Sequence, residues 1–246
     1  MPISSTRRTL HRAVLGASLL GALLGAAPAF AQETPAPGDR DVSARLAFLV
    51  GVHERDEPRM RLWYDSWTSG FAALALAQTG VALGTEDRST RISSVAGAIK
   101  ATIGVVGMLV RPAVSRTAAT KLRAMPEGTP EEKRAKLALA ESLLQKSAVQ
   151  ERSRRAWPAL LGAAIINLTS TYILWAGYHE YRGGWLGLGG GVVVAQVQFW
   201  TQPQGATVAW NAYARGQYQG PPPPAPSMFS WSLLPSPNGL ALGGTF

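Results

Sequence analysis

Four long stretches of this chain carry almost no charge, and any fold it adopts must find somewhere to put them. They lie at residues 63–84, 92–110, 158–178 and 184–201. The first has no charge after Asp65, the second has Lys100 near its middle, the third has none, and the fourth is short and rich in glycine. Each approaches the roughly 17–25 residues that a helix needs to cross a bilayer, and none has a broad polar face. Aromatic residues mark their ends: Trp63, Tyr64 and Trp67, Trp157, Trp175 and Tyr178, Trp185 and Trp200. Tryptophan and tyrosine favour the membrane–water boundary because their rings are apolar and their tips polar. The competing reading is a soluble helical protein that buries all four helices in one core. In a chain of 246 residues, four such stretches leave little else to cover them.

Small residues recur at helical spacing in every stretch: Ser69, Ala73 and Ala77; Gly97 and Ala101; Ala159 and Ala163; Gly187, Gly191 and Ala195. Such stripes let helix backbones approach closely, which is how packing replaces the hydrophobic effect in lipid. The expected fold is all-α: a bundle of four apolar, membrane-type helices. One amphipathic basic helix and a small C-terminal β-hairpin complete it.

Residues 1–31 have the layout of a signal peptide. Arg7, Arg8 and Arg12 precede the apolar run 13–27, and Ala29-Phe30-Ala31 suits a cleavage site before Gln32. Thr6-Arg7-Arg8-Thr9-Leu10 also resembles a twin-arginine export signal. Either route implies export to a bacterial cell envelope, with the inner membrane as the expected home and the outer membrane or periplasm as alternatives. Residues 32–62 are expected to be a polar N-terminal segment, disordered up to about residue 44, in which Pro58 breaks any long helix. The bundle would occupy 63–218.

Within it, Thr129-Pro130-Glu131-Glu132 is a strong helix start, with Thr129 as N-cap, proline at N1 and Glu132 reaching back. That helix is expected over about 130–155, with Leu137, Ala140, Leu144 and Ala148 on one side. Lying on anionic lipid, docking on the bundle and standing in solvent all suit it. Pro203 is expected to kink the chain before ATVAWNAYARG. Residues 219–246 form a Pro-rich spacer and a hairpin with alternating apolar positions, turning through Pro235–Gly239. Phe229, Trp231, Leu240, Leu242 and Phe246 make this tail a candidate docking surface for an envelope partner. The closing Leu240, Leu242 and Phe246 are similar to the last strand of an outer-membrane barrel, but the other strands of a barrel are absent from the sequence.

The charge is local. Beyond residue 31 the chain has 21 basic and 15 acidic residues, and 111–156 alone has 11 and 5. A high pI of this origin gives no case for nucleic acid as a partner. It does conflict with the topology. A cleaved leader and four crossings place 111–156 outside the cytoplasm, against the tendency of basic loops to stay inside.

Each apolar stretch has one interior polar residue: Gln78, Lys100, Asn167 and Gln196. At about 1.5 Å per residue they fall roughly 9, 12, 16 and 18 Å from the same face. They could form a polar layer, serving either as interhelical hydrogen bonds or as an ion or solute path around Lys100. No catalytic set is apparent. Cysteine is absent, and His53-Glu54 and His179-Glu180 lack the second histidine of a metal motif. Glycines 189–191 lack the lysine and hydroxyl of a phosphate loop. No cofactor is implied, and membrane lipid is the expected partner, with self-association open. The sequence therefore points to a non-enzymatic structural or interaction role, with a channel component or a soluble periplasmic lipid-binding module as alternatives.

Overall fold

The computed structural model describes residues 39–224 and the backbone of 230–236 and 239–245. The leader, residues 32–38, Phe229 and Phe246 lie outside the described residues. The described chain is helical apart from a terminal pair of short strands. Helix α1 spans Asp39–Gly84, α2 Arg88–Val110, α3 Ala118–Arg123, α4 Pro130–Arg155, α5 Trp157–Tyr172, α6 Tyr181–Thr201 and α7 Gly205–Ala214. A 3-10 turn over Val114–Thr117 leads into α3, and α5 runs on into a π turn over Ile173–Gly177.

Pro58 does not break a helix. It sits inside α1, which continues for 46 residues. A proline within a helix removes one backbone N–H and crowds the carbonyl four residues earlier, a loss of about 3 kcal/mol. Here tertiary packing on both sides outweighs it: Leu49, Val52 and His53 are buried before the proline, and Met60, Trp63 and Tyr64 after it. The expected disorder up to residue 44 is likewise corrected from Asp39 onward. Val42, Leu46, Phe48 and Leu49 are core residues of α1.

Helix α4 begins with the reciprocal cap read from its sequence. Thr129 Oγ1 accepts from the Glu132 amide at 3.2 Å, and Glu132 Oε2 accepts from the Thr129 amide at 2.9 Å. Its apolar side, with Leu137, Ala140, Leu143, Leu144 and Ala148, packs into one core with the first half of α1, with α3 and with α7. Of the three settings open to it, this helix takes a protein core. Pro203 ends α6 outright, and α7 starts afresh at Gly205. The Pro-rich segment folds back along α1. The Tyr218 hydroxyl donates to Asp41 Oδ1 at 2.7 Å, Arg55 donates to the Pro223 carbonyl, and Pro222 lies beside Gly51. Strands β1 (Ser230–Ser236) and β2 (Gly239–Thr245) pair antiparallel, with Leu233 opposite Leu242.

The second half of α1 packs along α2, α2 meets α6, and α6 packs along α5. These helices keep large apolar side chains on their outside, among them Leu76, Leu83, Ile99, Val110, Leu168 and Val193. Two of them, Arg88–Val110 and Trp157–Gly177, are long and apolar enough to cross a membrane, and only 17% of the apolar window of each is buried. The other two stretches fall short of that measure. Ser66, Thr68, Ser69, Gln78 and Thr79 dilute the first, and six glycines and two glutamines dilute α6.

Candidate functional site

Two of the four interior polar residues are hydrogen-bonded to each other, and the other two have different neighbours. Lys100 of α2 and Asn167 of α5 come together around α6. Lys100 Nζ donates to the Gly187 carbonyl at 2.8 Å and to Asn167 Oδ1 at 3.5 Å. Asn167 is itself fixed, its Nδ2 donating to the Ala163 carbonyl at 2.9 Å, and Thr171 Oγ1 donates to the Asn167 carbonyl at 2.8 Å. Gly191 admits this arrangement, because a Cβ there would stand 1.8 Å from Asn167 Oδ1. Gln78 packs against Gly97 between α1 and α2. Gln196 is exposed and accepts from Trp200 Nε1 one turn further along α6. The arrangement holds three helices with one ammonium, one amide and one backbone carbonyl. A lysine whose amine finds two oxygens needs no acidic partner to be accommodated.

A second set of polar residues gathers where the apolar helices meet the α4 core. Trp63 and Trp67 Nε1 both point to Thr201 Oγ1, at 3.2 and 3.3 Å, which joins the start of one stretch to the end of another. Tyr64 donates to the Met108 carbonyl at 2.6 Å, bringing in the end of α2. Arginines cover these rings. Arg116 lies over Tyr64 at 4.8 Å and pairs with Asp65 at 2.9 Å. Arg154 lies over Trp63 at 5.8 Å and donates to the Arg111 carbonyl, and Arg155 lies over Phe199 at 4.7 Å. Burial, together with the neighbouring Arg111 charge, pulls the Arg154 guanidinium below its ordinary pKa. The sequence shows these arginines only as the basic end of α4. Their place directly before Trp157 was the available signal.

The α4 core also encloses carboxylates that no motif announced. Glu151 accepts from the amides of Ala206 and Thr207 at 3.2 and 2.8 Å, capping α7. Burial outweighs those bonds and pushes its carboxyl up to about 7, with nearby Asp56 adding to the rise. Glu57 accepts from Thr120 N and Oγ1 at 2.9 and 2.6 Å, and these bonds with Arg61 hold it below the usual range against the effect of burial. His53 is buried with Nε2 3.1 Å from the Ala140 carbonyl, and its pKa is lowered by that burial. Glu54 reaches only toward Arg123, and Glu180 accepts from Ser89. Among the described residues, no three histidine, aspartate or glutamate side chains are placed to hold a metal ion. Of the proposed tail surface, Trp231, Leu240 and Leu242 lie on the paired strands.

No family model matches the chain, and no curated protein or solved structure is significantly similar to it.

Proposed function

We propose that this is an integral membrane protein of the bacterial cell envelope, exported by its leader, with four spanning helices and a helical domain on one face. Its role on this reading is structural or interactive and non-enzymatic. The observation that carries the reading is a change of rule along single helices. Residues 42–62 of α1 bury Leu49 and Val52 completely, whereas beyond Trp63 the same helix leaves Leu76 and Leu83 at 75% and 82% exposure. Leaving a large aliphatic side chain in water forgoes about 1.5–3 kcal/mol, and lipid removes that loss. The low burial of α2 and α5 supports the same view, because a core helix of a soluble protein would be mostly covered. Trp63, Trp157 and Trp200 then mark one membrane boundary. Lys100, held by two oxygens within the helices, supports a link between helices rather than a solute path.

Fractionation with carbonate washing and density separation tests the placement. The protein is expected to resist carbonate and to sediment with inner membrane. The chain has no cysteine, so single-cysteine variants test the crossings. Thr85→Cys and Tyr178→Cys should react with an impermeant maleimide from one side, Lys121→Cys and Lys146→Cys from the other. Release by carbonate, or reaction of all four from one side, overturns the spanning reading.

A further inference from the structure

We propose that Arg111, Arg154 and Arg155 form a seat for the phosphate of an anionic phospholipid headgroup. The inference rests on the membrane reading and adds to it the class of lipid recognised. Three observations carry it. First, none of these three guanidinium groups makes a salt bridge among the described residues, Arg154 feeling Glu151 only at longer range, whereas Arg116 beside them is paired with Asp65. The acid closest in sequence, Glu151, is committed to the amides of Ala206 and Thr207. Second, the half-buried Arg155 is held in place over Phe199 and Trp200 and makes no hydrogen bond or ion pair among the described residues; its Nη1 is enclosed, so its remaining donors are the ones that can meet a ligand. A guanidinium positioned by stacking, with a donor unspent, is prepared for an oxygen anion. Third, Arg154 lies over Trp63 and Arg155 over Trp200, aromatic residues that the spanning reading puts among lipid headgroups. A cluster of basic charge at that depth is complementary to phosphate and attracts anionic lipid.

The test uses the full chain in detergent, with native mass spectrometry to count bound lipid and vesicle flotation to report insertion. The probes are phosphatidylglycerol and phosphatidylcholine. Wild type is expected to retain phosphatidylglycerol in preference to phosphatidylcholine. The variant Arg111→Gln/Arg154→Gln/Arg155→Gln should lose that preference by roughly a hundredfold. A variant with the same change in charge elsewhere, Lys121→Gln/Lys133→Gln/Lys146→Gln, should keep it. Single Arg111→Gln and Arg155→Gln variants give graded losses should the triple variant fail to fold. Equal retention by wild type and the folded arginine variants overturns the seat while flotation with both vesicles leaves the membrane reading intact. Failure to float with either vesicle overturns the membrane reading itself. Inorganic phosphate that displaces phosphatidylglycerol at equal concentration overturns the assignment to a lipid.

Discussion

Lys100 Nζ and the Gly187 carbonyl oxygen are 2.8 Å apart, so a charged side chain of one apolar helix is satisfied by the backbone of another. That bond is available because Gly187 has no side chain between the two; a Cβ there would stand 3.3 Å from Nζ. Lys100→Met keeps the length of the side chain and removes the donor. Interhelical bonds in membranes are worth about 0.6–2 kcal/mol, so the unfolding midpoint in detergent should move modestly and assembly should persist. Proteoliposome flux is expected to be the same for both proteins. A changed flux with an unchanged midpoint would mean that Lys100 lines a path.

Three consecutive glycines of α6 should respond in opposite directions. Gly189 and Gly190 have open space where a Cβ would go, whereas at Gly191 it would meet Asn167 Oδ1 at 1.8 Å. Gly189→Ala and Gly190→Ala should each stabilise by about 0.5–1 kcal/mol, since alanine loses less freedom in a helix. Gly191→Ala must push Asn167 off its bonds to Lys100 and Ala163, at a cost of about 1–3 kcal/mol. Thermal unfolding in detergent checks the contrast, and three equal shifts would refute the packing.

Glu151 makes stability depend on pH. Its folded pKa is raised to about 7 from an ordinary 4.5, so the folded chain holds that proton longer than the unfolded one. The group's contribution is therefore full below about pH 4.5 and is lost as pH rises toward 7, on the order of 3 kcal/mol in all. His53 works in the opposite sense. Its folded pKa is lowered, so stability falls as pH drops below its ordinary value of 6.5. A difference measurement separates them. The midpoint of Glu151→Gln relative to wild type should rise between pH 4.5 and 7, and a constant difference would mean that Glu151 titrates normally.

The tail divides into two parts with different expected roles. Tyr218 and Pro223 hold on to Asp41 and Arg55 of α1, so truncation after Gln217 should lower the unfolding midpoint. Deleting Met228–Phe246 should, on the docking reading, release an envelope partner in crosslinked pulldown. Retention of every crosslinked band by the deleted form would end that reading.

Much of the helical pattern was legible in the residues because it is locally encoded. Thr129, Pro130 and Glu132 specify a helix start within one turn, and Leu137, Ala140, Leu144 and Ala148 recur at the period of a helix face, so α4 could be read with its buried side. The apolar stretches were legible for the same reason: long runs without charge are a property of the chain itself. Small-residue stripes named Gly187 and Gly191, which the structure uses for the approach of Lys100 and Asn167.

What neighbours decide was not legible. Pro58 is a helix breaker by its own chemistry, yet α1 passes through it because its two halves are anchored by contacts with residues far along the chain. Depth along a helix does not set direction around it. Gln78 and Gln196 therefore meet Gly97 and Trp200 and do not join the Lys100–Asn167 pair in the shared layer that similar depths suggested. The buried Glu151 and the stacked Arg154 and Arg155 sat within five residues of one another in a charged run, indistinguishable by composition. By itself the sequence determined where helices form and which surfaces need shelter from water. Only the tertiary structure decided which polar groups meet, because hydrogen bonds reach about 3 Å and depend on rotations and crossings that no local pattern encodes.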